Sequence, residues 1–254
     1  MRLITAGISD IGCVRRTNED SIGLFHELNL FIVADGMGGH AAGEIASKMA
    51  VDQIKAYFKA PPQVDHLKKT ENSVPNADRH QPGLAEAIAH ANRQIFVASM
   101  ENRALNGMGT TVVALLAKPD VAEIGFVGDS RVYLYRNKVL TQLTHDHSLV
   151  NEYVKRGILA PEEASSHPQK HVLSRALGTG SKVEVECLQK GPEAGDVFLL
   201  CSDGLSNKLS MLEMTSILES SGEGLEKASE HMVRLAKEKG GEDNISIVFV
   251  AYRP

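Results

Sequence analysis

Glu19, Asp20, Asp35, Asp129, Asp203 and Asp243 sit on short turns, mostly beside glycine, in five separate parts of the chain, each next to an apolar run. The segments read Asn18-Glu19-Asp20-Ser21, Val33-Ala34-Asp35-Gly36-Met37-Gly38-Gly39, Val127-Gly128-Asp129-Ser130-Arg131, Cys201-Ser202-Asp203-Gly204-Leu205 and Gly241-Glu242-Asp243-Asn244-Ile245. Carboxylates are ligands for hard cations such as Mg2+ and Mn2+, and several of them brought to one point repel each other unless a cation cancels the charge. The chemistry this composition points to is that of a two-metal phosphoesterase centre.

Asp35 follows the apolar run Leu30-Phe31-Ile32-Val33-Ala34, and the glycines after it allow a sharp turn that brings a carbonyl and a carboxylate to one point. Asp203 follows Val197-Phe198-Leu199-Leu200-Cys201 in the same way, and Asp243 directly precedes the last apolar run, which begins at Ile245. Strand ends are rigid mounts for ligands. A single Asp-Gly is ordinary turn chemistry; the recurrence of apolar run, acid and glycine is what argues for a shared centre. Arg15 lies just before Glu19, and a guanidinium can grip a phosphate with two parallel hydrogen bonds. A lone Arg there would otherwise read as a surface ion pair.

The elements that must position these residues follow from periodicity. Strand-like runs cover 3–9, 30–34, 110–117, 123–127, 131–136, 183–188, 197–201 and 245–252. Helical spacing covers 42–58 (Ile45, Met49, Ile54, Phe58), 84–100 (Leu84, Ile88, Ala91, Ile95, Ala98) and 225–237 (Ala228, Met232, Leu235, Ala236). Strands come in consecutive groups separated by pairs of helices, which departs from strict βαβ alternation and predicts an α+β layered architecture with antiparallel sheets. The stretch 60–82 carries Pro61, Pro62, Pro75 and Pro82 among polar residues and reads as a mobile loop within one domain spanning 1–254. The stretch of about 145–170, with weak helical pieces at 148–156 and 161–166, reads as a flap.

The chain has 254 residues, 43% of them apolar, enough to bury a large core. No apolar run is long enough to cross a bilayer and the first residues lack a signal-peptide core, so the expectation is a cytoplasmic protein with no membrane partner. A net charge of −5 with scattered basic residues gives no stripe for a nucleic-acid backbone. Cys13, Cys187 and Cys201 are far apart and odd in number, which argues against disulfides and zinc, and nothing around Cys201 would make a nucleophilic thiolate. The pair His145 and His147 is assigned no metal.

In order along the chain, Val14-Arg15-Arg16-Thr17-Asn18-Glu19-Asp20, Asp35-Gly36-Met37-Gly38-Gly39-His40, Gly107-Met108-Gly109-Thr110-Thr111, Gly128-Asp129-Ser130-Arg131-Val132-Tyr133, Cys201-Ser202-Asp203-Gly204-Leu205 and Asp243-Asn244-Ile245-Ser246 resemble the motifs of the metal-dependent serine/threonine protein phosphatases of the 2C type, in their compact bacterial form. The resemblance spans nearly the whole chain. It implies a four-layer αββα sandwich with two central antiparallel β-sheets flanked by helices, and a pair of Mn2+ or Mg2+ ions at one end of the sheets. It implies further that Asp35 bridges both ions, that the Gly36 carbonyl binds one, that Asp203 and Asp243 bind the other, and that Glu19 contacts it through water. Asp129 and Asp203 would hold a weaker third ion, and Arg15 would orient the phosphate. Thr110, Thr111, Ser130 and Arg131 are assigned packing or turn roles.

Two positions depart from the family pattern. Met37 stands where many relatives carry a histidine, and a thioether cannot donate a proton; the acid is then either His40 or a metal-bound water. Asn207 stands where some relatives place another aspartate, and a neutral amide is a poorer cation ligand. The implied activity is hydrolysis of phosphoserine and phosphothreonine in proteins by a water bridging two ions, with phosphoproteins and a serine/threonine kinase as partners and a monomer as the working form. The alternatives are a catalytically silent binding module and a small-molecule phosphohydrolase.

Overall fold

The computed structural model describes residues 1–37, 42–59, 83–164, 167–220, 222 and 224–254. Along the chain run β1 (Arg2–Asp10), β2 (Asp20–Phe25), β3 (Leu30–Met37), α1 (Ala42–Lys59), α2 (Leu84–Glu101), β4 (Gly109–Thr110), β5 (Val112–Ala117), β6 (Ala122–Val127), β7 (Arg131–Arg136) and β8 (Val139–Gln142). Then follow α3 (Leu149–Lys155), α4 (Pro161–Ala164), β9 (Glu186–Lys190), β10 (Val197–Cys201), α5 (Asp203–Ser206), α6 (Met211–Ser220), α7 (Leu225–Glu238) and β11 (Ile245–Arg253). One sheet has the order β1-β11-β10-β7-β8 and the other β2-β3-β5-β6-β9, with β4 paired to β3. The strand pairs are antiparallel.

The two-residue period of a strand explains why so many runs are apolar without interruption. In β3, Phe31 and Val33 enter the layer between the sheets while Leu30, Ile32 and Ala34 face α1 and α2. In β10, Phe198 and Leu200 enter the same middle layer and Leu199 and Cys201 face α6 and α7. Both faces of each sheet are therefore covered, and the result is an αββα sandwich with three apolar layers. Each large side chain buried this way stabilises the fold by about 1.5–3 kcal/mol, which lets the scaffold tolerate a repulsive cluster at one end.

Several expectations shift. The run expected over 110–117 is broken at Thr111 into β4 and β5, and the strand expected over 183–188 begins only at Glu186. Short β2, β8 and α5 and the helix α6 lacked a periodic signal. In α1 the buried stripe is Gly43, Ala46, Ser47, Ala50, Val51 and Ile54, while Ile45 is exposed. Small side chains win that face because the helix lies close on the sheet at Gly36 and Gly43. The weak helical pieces appear as α3 and α4. The loop expected over 60–82 lies outside the described residues.

Candidate metal centre

Strand ends converge at one end of the sandwich. β3 delivers Asp35, α5 delivers Asp203 straight after β10, the turn before β11 delivers Asp243, the β6–β7 turn delivers Asp129, and the segment entering β2 delivers Glu19. With Arg15 and Gly36 they line one cavity of about 620 Å³. Met37, Thr111, His171 and Leu173 complete its wall. Of the positions nominated above, only His40 is not placed, because it lies outside the described residues.

The neighbours hold these side chains by their backbones. The Asp35 N–H donates to Thr111 Oγ1 at 3.1 Å, and its carbonyl accepts from the Thr111 N–H at 2.8 Å and Thr110 Oγ1 at 2.9 Å. Thr111 Oγ1 also lies 2.7 Å from Ser130 Oγ, tying β5 to the Asp129 turn. Breaking the strand at Thr111 is thus the means of fixing Asp35. Asn244 plays the same part for Glu19: its Oδ1 accepts from the Glu19 N–H at 2.8 Å, while its Nδ2 donates to the carbonyls of Ile11 and Thr17.

The two Asp-Gly pairs differ from the turn reading. Gly36 stays in β3, paired with Thr110, and neither Gly36 nor Gly204 takes a left-handed conformation. A side chain at Gly36 would collide with the carbonyls of Gly43 and Glu19, and one at Gly204 with the carbonyl of Asn244. These glycines permit backbones to close in around the acids rather than a reversal of the chain.

The electrostatics are those of crowded acids. Burial pushes the Asp35 carboxyl well above its usual range, and the charges of Asp20, Asp203, Asp129 and Asp243 push it further. Asp129 is raised to about 7, by burial and then by Asp203, and Asp203 is raised by burial and by Asp243. Asp20, opposite Asp35 in the β2–β3 register, is raised to about 7 by burial even though Ser202 Oγ donates to its Oδ2 at 2.8 Å. Its acidic turn was visible in the sequence, but its role beneath the centre needed the pairing of strands. The Oδ1 atoms of Asp203 and Asp20 are buried with no hydrogen-bond partner. An all-oxygen set with unpartnered buried lone pairs and mutually repelling acids fits a hard divalent cation. At the rim, Arg15 donates to Asp243 Oδ2 at 2.8 Å, and that bond holds the guanidinium positive.

A second cavity of about 410 Å³ adjoins the first, shares Asp129, Asp203 and His171 with it, and is walled by Val150 and Asn151 of α3 and by Ala164 and Lys170. Asn207 faces it and donates to Asp203 Oδ2 at 3.1 Å. The 145–170 stretch is anchored at its base. Arg131 makes a bidentate pair with Asp146 at 2.8 and 2.7 Å. Buried His147 accepts the Gly128 N–H at Nδ1, which places its proton on Nε2, 3.0 Å from Glu186 Oε1. His145, His147 and Glu186 come within 4.8 Å of one another, but this tautomer and Arg175, 2.9 Å from the same Oε1, make the group a latch between the stretch, the Asp129 turn and β9. The Cys201 thiol is pushed up to about 12 by burial, which removes it as a nucleophile.

A family model described as protein phosphatase 2C matches residues 15–240. The chain is 42% identical over 245 residues to the serine/threonine phosphatase stp of Listeria monocytogenes, covering 95% of this chain and 93% of that protein. The crystal structure of the Mycobacterium tuberculosis serine/threonine phosphatase PstP/Ppp superposes with a TM-score of 0.84 at 35% identity, over 99% of each chain. The catalytic domain of PstP in complex with two manganese ions superposes with a TM-score of 0.81 at 35% identity, again over 99% of each.

Proposed function

The chain belongs to the protein phosphatase 2C family, and from that premise we propose that Glu19, Asp35, Gly36, Asp129, Asp203 and Asp243 hold the divalent cations with which it works. It is a metal-dependent protein serine/threonine phosphatase, using Mn2+ or Mg2+. The observation that carries the assignment of residues is the convergence of these acids on one cavity with Arg15 at its rim. Bound divalent cations would lower the pKa of a water and offset the charge on the phosphoryl oxygens, which is the main burden of phosphoryl transfer.

The chain's own residues supply position. Asp35, clamped through both backbone groups by Thr110 and Thr111, lines the same cavity as Asp203 and Glu19, and its carboxylate would be shared between the cations. Asp203 and Asp243 face it from the other sheet, and Asp129 with Asp203 opens toward the second cavity as the proposed weaker third site. Arg15 is half exposed and is positioned to take phosphate oxygens entering from solvent. Asp243 keeps that guanidinium aimed inward.

The reading extends to a single catalytic domain over 1–254, to substrates that are phosphoproteins, a serine/threonine kinase among them, and to a monomer in the cytoplasm. Among the described residues no helix is long and apolar enough to cross a membrane. The test compares turnover of phosphoserine and phosphothreonine peptides with that of nucleotides, with Mn2+ and with EDTA. Metal-dependent, EDTA-sensitive peptide turnover is expected; full turnover in chelator, or preference for nucleotides, overturns the assignment.

Arg15→Ala tests the phosphate grip. A charge-assisted hydrogen bond contributes about 1.5–3 kcal/mol, so KM should rise by about 10- to 100-fold with a smaller change in kcat, because the contact exists in ground and transition states alike. A fall confined to kcat would place the guanidinium on the transition state alone.

A further inference from the structure

The end of the sandwich away from the acids gathers cations instead. β11 starts beside Asp243 at the metal centre and finishes on Arg253 at the far end. In the β1–β11 register Arg253 lies directly across from Arg2. Side chains opposite each other in an antiparallel pair share one face of the sheet, where like charges are unfavourable. Among the described residues neither guanidinium has a hydrogen-bond or ion-pair partner, and the Arg253 Nε is buried. The acids just before β10 are taken: Arg136 binds both Asp196 oxygens at 2.8 and 2.6 Å and Glu193 at 2.6 Å.

Arg253 lines a cavity of about 310 Å³ between this sheet and the adjoining ends of α6 and α7. Lys138 lines the same cavity and is likewise without a partner among the described residues. It is brought there by the β7–β8 turn, where Asn137 and Lys138 take φ of 52° and 64°, the left-handed pair that suits the twist of a tight hairpin. Val197, Leu218 and Leu225, all part of the core beneath α6 and α7, give the cavity an apolar wall. Tyr135 adds a phenol whose pKa is raised by burial and then by Glu219, so it keeps its proton. Glu219, exposed, is the acid of the lining.

We propose that this cavity is a binding site for a small organic oxyanion, a carboxylate or phosphate on an apolar body, held by Arg253 and Lys138. A guanidinium presents its N–H groups as a fork that matches either oxyanion, and an ammonium adds a second, adaptable donor. An anion there gives the buried Arg253 Nε the acceptor it lacks and offsets the repulsion between Arg253 and Arg2. The apolar body covers Val197, Leu218 and Leu225. A volume of about 310 Å³ with an apolar wall and a few convergent polar groups is what a small ligand requires. The site is separate from the metal centre and does not depend on the phosphatase reading.

The experiment titrates the full chain, loaded with Mn2+, with benzoate and with phenylphosphonate by calorimetry; inorganic phosphate and benzyl alcohol supply the head and the body alone. Saturable binding of benzoate or phenylphosphonate is expected, the tighter of the two showing which oxyanion the site takes, and each part alone should bind about 10-fold more weakly or worse. Arg253→Gln and Lys138→Asn should each weaken binding by about 10-fold or more, the effect of losing a charge-assisted hydrogen bond. Asparagine tolerates the left-handed backbone at 138, and that residue is on an exposed turn, so Lys138→Asn decides the matter if Arg253→Gln fails to fold. Glu219→Gln should tighten binding, and Arg15→Ala, at the metal centre, should leave it unchanged. No saturable binding, binding that survives both cation substitutions, or weakening by Glu219→Gln would each overturn the proposal. Binding abolished by Arg15→Ala would place the anion at the metal centre and overturn it too, with the phosphatase reading left standing.

Discussion

Asp35→Asn is expected to abolish phosphatase turnover and, in chelator, to yield a more stable protein than the unaltered chain. The two effects have one cause. Asp35 is half-buried and desolvated beside Asp20, Asp129, Asp203 and Asp243, whose charges all raise its pKa, so the carboxylate is favoured only when a cation or a proton offsets it. An amide of nearly the same shape keeps the clamp by Thr110 and Thr111, which uses backbone atoms only. It removes the charge that would bridge two ions. Losing a metal's several kcal/mol of transition-state stabilisation, at about 1.4 kcal/mol per decade, means a fall in kcat/KM on the order of 10³-fold or more. Calorimetry should show Mn2+ binding weakened, and thermal unfolding in EDTA should show a raised Tm. Tight binding of two ions by the variant would overturn the bridging role, and a lowered Tm would mean that the carboxylate contributes to the fold.

The same crowding predicts how the metal-free protein responds to pH. Asp20 and Asp129 are raised to about 7 and Asp35 is raised well above the usual range, against about 3.9 in an unfolded chain. Between those values the folded state binds more protons than the unfolded state, so stability falls as pH rises across the window. The protonated carboxyls contribute fully below about pH 4 and the contribution is lost through about pH 7. In EDTA, Tm should therefore be several degrees higher at pH 5.5 than at pH 8. Adding Mn2+ at pH 8 should reverse the loss, because the cation takes over the proton's part; at a hundredfold excess over Kd the gain is about 2.7 kcal/mol. A metal-free Tm that climbs from pH 5.5 to pH 8 would show that the acids are solvated separately and share no site.

Much of the chain was readable before any coordinates. The strands around Asp35, Asp203 and Asp243 were legible because their residues are apolar at both parities, the pattern a strand takes when both its faces are buried. Seven of the positions nominated for the centre line one cavity, because glycine and acid after a strand is a local arrangement that a sequence displays directly. Resemblance to the 2C-type phosphatases added the roles that residue chemistry alone left open.

What stayed hidden depended on neighbours distant in sequence. Periodicity in α1 favoured Ile45, yet the sheet lies so close that Ala46 and Ala50 take the buried face. The glycines of the Asp-Gly pairs looked like turn residues, and only the approach of the Gly43 and Asn244 carbonyls shows that they exist to leave out a side chain. Asp20 gains its raised pKa from burial and from the charges of Asp203 and Asp243, against the hydrogen bond it accepts from Ser202, 182 residues away. His171 carried no signal at all in a polar stretch; the bridges at Leu173 and Leu177 bring it to the acids. The sequence by itself determined the ligand chemistry and the layers, since both are written in residue type and local spacing. Tertiary structure alone decided which acids meet and which of them burial pushes up, because both are set by through-space distance and burial.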